Sequence, residues 1–235
     1  MAKLQTRSRA LVLAVGAALL VGIVLIGASR LAAEPDPEPP ATQAAPASSS
    51  LLDGIPQDGA VLGQPDAPVT LVEYADLQCP YCAEWARGTL PALVRDYVRQ
   101  GKLRIEFRGL AFIGPDSDTA LRAALAAGRQ DRLWNVVELL YTNQGAENSG
   151  WASEELIDRI AASVPGLDHK RFDADRGLEA LSAEMAKAQR QAQAGGVRGT
   201  PAFELGSTGS ALETLQVRSL APEEFAAAID AVLAG

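Results

Sequence analysis

VEYADLQCPYCAEW, Val72 to Trp85, contains both cysteines of the chain, Cys79 and Cys82, with Pro80 and Tyr81 between them. Just upstream, PVTLVEYA (Pro68 to Ala75) is β-rich and largely apolar, which predicts a buried strand. Downstream, a helix is expected to start at the cysteine pair and run through AEWARGTLPALVRDYVRQ, kinked at Pro91 where an N–H is missing. Gly101 ends it, and KLRIEFRGL alternates apolar and charged residues as a half-exposed strand does. The stretch is therefore the centre of a β-α-β unit, with the cysteines at the amino end of its helix.

C-x-x-C serves several chemistries. A structural zinc site needs about four protein ligands and a catalytic one three plus water, whereas this chain offers two thiols and one distant histidine, His169. Zinc would need ligands from a second protein. Covalent haem attachment needs C-x-x-C-H, and residue 83 is alanine. A purely structural disulfide closing so short a loop would restrict the unfolded chain only modestly. A redox couple has a positive mechanism. The thiolate is the reactive species, and the unpaired N–H groups of a helix amino terminus stabilise it. Cys79 would then sit exposed at that terminus as the nucleophile. Cys82, about one turn further in and more buried, would resolve a mixed disulfide. Pro80 suits a first helical turn, which needs no N–H.

The region from Asp116 to about Gln193 reads as helical throughout, in the segments SDTALRAALAAGRQ, DRLWNVVELLYTNQ, SEELIDRIAASV and an alanine-rich run. Ser117 with Thr119, Asp131 and Ser153 are the expected N-cap neighbourhoods, and Gly195 with Gly196 stops the last helix. Strands are expected at AFEL and near LETLQVRSL. Pro222 opens a closing helix whose two following acids suit the dipole. Trp85 and Trp134 read as packing residues, and His169 as a surface residue at a helix start. The order of elements predicts an α/β fold with a helical block, 116–193, inserted in its middle.

The chain has 235 residues, 48% of them hydrophobic, enough for a core without disulfide support. Its net charge of −8 comes from interleaved acids and bases, and no basic stripe with aromatics points to nucleic acid. Ala10 to Ser29, ALVLAVGAALLVGIVLIGAS, carries no charge, and at ~1.5 Å per residue it would span ~30 Å as a helix. Lys3, Arg7 and Arg9 precede it, so residues 1–9 are expected in the cytoplasm, 10–29 as a transmembrane anchor, and the rest outside. A cleaved signal peptide is the competing reading, but its apolar region would exceed the usual ~7–15 residues. Both readings deliver the cysteines to an oxidising compartment. Residues 30–53, rich in Pro, Ala and Ser, read as an extended linker, and the folded domain as 54–235.

VEYADLQCPYC together with VRGTPAFEL resembles the DsbA-like branch of the thioredoxin superfamily, from about residue 54 to the end of the chain. The resemblance implies a thioredoxin-like fold with a helical insertion, preceded here by the membrane helix. It implies a redox-active Cys79–Cys82 pair, Cys79 as nucleophile and Cys82 as resolving thiol. Pro201 would be a cis-proline beside the pair, and Thr200 an open backbone edge that binds an extended substrate. Glu73, six residues before Cys79, would be a buried acid that moves protons to and from Cys82. The bare pattern also fits a carboxylate on an edge strand. Tyr81 and Pro80 would shape the surroundings of the sulfur. No metal or organic cofactor is implied.

By the same resemblance the function is disulfide formation in exported proteins. Reduced or unfolded proteins would be the substrates, and a DsbB- or VKOR-like membrane partner would reoxidise the pair. Pro-Tyr departs from the Pro-His of the best-known periplasmic oxidases and also occurs in glutaredoxins, so the direction of electron flow is open. The rival readings are a reductase or isomerase on the same scaffold and a redox-silent chaperone-like binding module.

Overall fold

The computed structural model describes residues 50–235; the expected cytoplasmic segment 1–9, anchor 10–29 and most of the linker lie outside the described residues. Among the described residues no helix is long and apolar enough to cross a membrane. The folded part begins earlier than residue 54. Ser50–Leu52 form a 3-10 turn in which Leu52 is buried. Arg99 donates to the carbonyls of Ser50, Leu51 and Asp53, fastening this turn to the domain. A Pro/Ser-rich composition hides this, because the turn is held by a cation 46 to 49 residues away.

Six strands form one sheet: β1 (Gln57–Asp58), β2 (Val61–Leu62), β3 (Val69–Asp76), β4 (Leu103–Leu110), β5 (Ala202–Ser207) and β6 (Glu213–Leu215), in the order β1-β2-β4-β3-β5-β6. β3 lies at its centre, parallel to β4 and antiparallel to β5, and all eight of its residues are buried. A strand covered on both faces reads as a continuous apolar run, as VTLV does. β4 alternates buried and half-exposed residues because its second face is only partly covered.

Helix α1 (Pro80–Gly88) follows β3 directly and carries Cys82 and Trp85 into the core. The expected kink falls at Thr89, two residues before Pro91, and a short helix α2 (Leu90–Leu93) runs on into a π-helical turn at Val94–Val98. Proline at 91 cannot donate to the carbonyl four residues back, so the helix breaks ahead of it. The insertion comprises α3 (Pro115–Gly128), α4 (Leu133–Thr142), α5 (Glu154–Ser163), α6 (His169–Arg176) and α7 (Glu179–Ala194). Ser153 caps α5 as expected, whereas α3 is entered at Gly114 with Pro115 in its first turn, and α4 at Arg132. Ser117 is spared for other work, described below. His169 opens α6 at the surface.

The closing helix α8 (Pro222–Ala234) completes the main core. Trp85 of α1, Phe203 of β5 and Phe225 of α8 form an aromatic cluster with centroid separations of 4.8 to 6.0 Å. Such pairs add to plain area burial. The cluster ties the cysteine helix to the strand that follows Pro201. On the opposite face α7 lays Ala188 and Ala192 against Val72, Tyr74 and Leu110.

Candidate active site

The end of β3, the start of α1 and the entry to β5 meet at one edge of the sheet. β3 stops at Asp76, whose carboxylate accepts from Gln78 N at 2.9 Å, and Cys79 N bonds back to Asp76 O at 2.9 Å. This turn sets Cys79 as the N-cap of α1, in extended geometry, with Pro80 in the first turn. Cys79 is only 5% exposed and Cys82 is fully covered, both as free thiols. The expected exposure of Cys79 is thus corrected. The loop before β5 lies over its sulfur, and Sγ donates to the Thr200 carbonyl at 3.2 Å. The Thr200–Pro201 bond is cis, as anticipated. Tyr81 points outward, 63% exposed, and Phe112, just past β4, is 51% exposed; these are the exposed large hydrophobic residues of the described chain.

The two thiols are held far apart in acidity. Cys79 is lowered from 9.0 to about 6, chiefly because the Cys82 thiol bonds to it; burial opposes this, and Thr200 and the N–H groups of Cys82 and Tyr81 assist. Cys82 is driven far upward by burial, by its hydrogen bond to Cys79 and by the negative charge that Glu73 and Cys79 carry when ionised. At pH 7 the first sulfur is therefore mostly thiolate and the second entirely thiol. Alkylation of the reduced protein by iodoacetamide is expected to rise at Cys79 with a half-point near pH 6. Cys82 is expected to stay unmodified. A half-point near the free-thiol value of ~8.5 would contradict this assignment.

Glu73 sits in the middle of β3, paired with Phe107 and Phe203 in the neighbouring strands, and is 1% exposed. The structure thereby places it inside the core and not on an edge strand. Its Oε1 finds no hydrogen-bond partner among the described residues. Burial pushes its carboxyl well above 4.5, and the charge of Cys79 pushes it further. Burial thus favours the protonated form of this carboxyl beside the two sulfurs. Tyr141 of α4 is equally enclosed, and burial, with the nearby Cys82, Glu73 and Cys79, keeps its hydroxyl un-ionised.

One set of residues at this edge escaped the sequence reading: Asp76, Gln78, Ser117, Gln144 and Asn148. The signal for part of it was present, since an aspartate with a donor two residues on is an Asx-turn pattern immediately before Cys79. The insertion residues carry no such mark. Among the described residues no group of three or more His, Cys, Asp or Glu side chains is placed to hold a metal ion.

A thioredoxin family model matches residues 56–231. A Bacillus cereus protein described as a probable disulfide bond formation protein D is 34% identical over 143 residues, which cover 60% of this chain and 66% of that one. The chain spans just under two thirds of the length of the curated relatives that come first. A thioredoxin-like oxidoreductase from Silicibacter pomeroyi is 30% identical with a TM-score of 0.59, over 80% of this chain and 99% of that one. Oxidised BdbD from Bacillus subtilis shares the fold, with a TM-score of 0.65 at 24% identity over 77% of this chain and 97% of that one.

Proposed function

We propose that the chain, which belongs to the thioredoxin family, is a DsbA-like extracytoplasmic thiol–disulfide oxidoreductase that forms disulfides in exported proteins. The observation that carries this reading is the split of the pair: Cys79 at a helix terminus with its acidity raised, Cys82 buried behind it beside the buried carboxyl of Glu73.

In the oxidised state a substrate thiolate attacks Sγ of Cys79. The Cys79–Cys82 bond breaks, a mixed disulfide forms at Cys79, and Cys82 leaves with the electron pair. Because thiolate at Cys82 is strongly disfavoured, it takes a proton at once, and the Glu73 carboxyl is the nearby acid able to give it. A second substrate thiolate then attacks the substrate sulfur of the mixed disulfide and expels Cys79 as thiolate. Two substrate thiols thus lose two electrons to the pair and two protons to the surroundings, one of which is matched by the proton that Glu73 gives to Cys82 and Glu73 then recovers, while Cys79 stays thiolate. The Thr200 carbonyl, which accepts from Cys79 only while that sulfur is protonated, has no donor from it once Cys79 is in disulfide linkage. A backbone N–H of an extended substrate is the group that replaces it. Tyr81 and Phe112 supply apolar surface at the same end of the sheet for an unfolded chain.

The ionisation of Cys79 also bears on direction. With a pKa of about 6 in place of 9.0, the dithiol is stabilised about tenfold at pH 7, equivalent to ~30 mV toward oxidising potentials for a two-electron couple. This favours donation of the disulfide despite the Pro-Tyr dipeptide. Residues 10–29 would anchor the domain outside the cytoplasm, and a DsbB- or VKOR-like membrane protein would take up the electrons. The test is a redox titration of residues 50–235 against glutathione, with oxidation of a reduced, unfolded protein alongside. The expected potential lies well above the roughly −270 mV of thioredoxin; a value at or below that figure would overturn the oxidase reading.

A further inference from the structure

The turn that presents Cys79 is gripped from the helical insertion by a buried polar network. Asp76 is fully covered, and its carboxylate accepts four donors: Gln78 N, Ser117 Oγ, Phe112 N and Ile113 N, at 2.6 to 3.2 Å. Gln78, 1% exposed, donates to Ser117 Oγ at 3.0 Å and Asn148 Oδ1 at 3.2 Å, and accepts from Asn148 N at 2.6 Å. Asn148 closes the ring by donating to Ile113 O at 3.3 Å. Its approach needs glycine at 114, where a Cβ would fall 1.7 Å from Asn148 Oδ1. Gln144 reaches the turn separately, its Nε2 donating to Leu77 O at 2.8 Å and Cys79 O at 3.2 Å.

The Cys79 carbonyl also accepts from Ala83 N at 3.2 Å, the first helical bond of α1. Its direction is therefore set from two sides, by the helix and by a side chain 65 residues away. That direction fixes the backbone torsion which aims Sγ at the amides of Tyr81 and Cys82. An Asx turn alone would hold the turn shape; it would not tie that shape to the insertion. We infer that Gln144 and Gln78 are positioning residues for Cys79, through which the loop 144–151 and the start of α3 hold the nucleophile over the end of its helix. The inference rests on Cys79 being the exchanging sulfur.

The titratable groups facing Cys79 are Cys82 on α1, Glu73 on β3 and Tyr141 on α4; Thr200, from the loop before β5, is uncharged. None of them is altered by substitution at Gln144, so a change in the Cys79 profile reports placement. Gln144→Met removes both donors at nearly constant length. The expected result is a half-point for Cys79 alkylation about one pH unit higher than wild type and about tenfold slower oxidation of reduced substrate. Asn148→Gly is the second variant: residue 148 has a φ of +57°, which suits glycine, and is exposed as a whole, so the variant is expected to fold. Its shift is expected in the same direction and smaller. Gln130→Met, which also loses a glutamine-to-carbonyl bond, is expected to leave the profile in place. Profiles of Gln144→Met and Asn148→Gly that coincide with wild type would overturn the inference, whatever the melting temperatures, and Asn148→Gly decides alone if Gln144→Met does not fold. A wild-type protein that oxidises no substrate while the profiles shift would remove the proposed function and leave the positioning role standing.

Discussion

Cys79→Ser is expected to abolish disulfide exchange, slowing oxidation of a reduced, unfolded protein by on the order of 10³-fold or more, since a hydroxyl neither forms nor leaves a disulfide. Cys82→Ala is expected to fail differently. It retains the sulfur at the helix terminus, so it attacks a mixed or small-molecule disulfide and then stays bound, for want of a resolving thiol. Mass spectrometry of the isolated variant after exposure to oxidised glutathione would show one added glutathionyl group on Cys82→Ala and none on Cys79→Ser. The alanine variant carries a second signature. The Cys82 thiol is the largest of the groups lowering Cys79, so its loss moves the Cys79 half-point upward from about 6, while Thr200 and the two amides keep part of the effect. Equal turnover by wild type and Cys79→Ser would sink the mechanism.

Glu73→Gln is expected to change two things at once. The step that protonates departing Cys82 loses its acid, and turnover falls by on the order of 10²-fold. Stability changes its dependence on pH. A carboxyl whose native pKa lies well above 4.5 holds its proton more tightly folded than unfolded. The unfolded state therefore gains as pH rises from 4.5, and the folded protein loses up to about 1.4 kcal/mol per pH unit until the native group ionises. Cys79 acts in the opposite sense in the dithiol form. Its proton is bound more tightly in the unfolded state between about pH 6 and 9.0, so stability rises across that window and is lost as pH falls through 6. The oxidised protein, which has no thiols to titrate, is left with the Glu73 slope alone. Urea unfolding at several pH values is expected to show oxidised wild type weakening above pH 4.5, the dithiol form levelling out above pH 6, and oxidised Glu73→Gln without the decline. A decline of equal slope in that variant would assign it to other groups.

Much of the architecture was legible in the chain because its signals are local. VTLV announces a buried strand by composition, KLRIEFRGL a half-covered one by alternation, and Pro80, Gly101, Gly195 and Pro222 mark where helices start or stop. The insertion helices fell within a residue or two of the expected 116–193, because amphipathic spacing and alanine richness act within a few turns. The misplaced features have causes that the local pattern either ranks wrongly or does not contain. Ser117 looked like a cap, but Gly114 and Pro115 enter the helix first and its hydroxyl goes to Asp76. Ser50 to Asp53 looked like linker because Arg99, which holds them, is remote.

The sequence by itself determined which atoms could do chemistry: two sulfurs one helical turn apart after a central strand, an acid within that strand, and a proline before the next one. Only the tertiary structure decided what those atoms are like. The Thr200 carbonyl that covers Cys79 stands 121 residues away along the chain, and Gln144 reaches the same turn from a helical block with no motif of its own. Acidity depends on distance and on exclusion from water, both set through space by the packing of α4, β5 and the loop before it. Sequence separation carries no information about either, so the chain named the pair, and the fold made one sulfur a thiolate and the other a thiol.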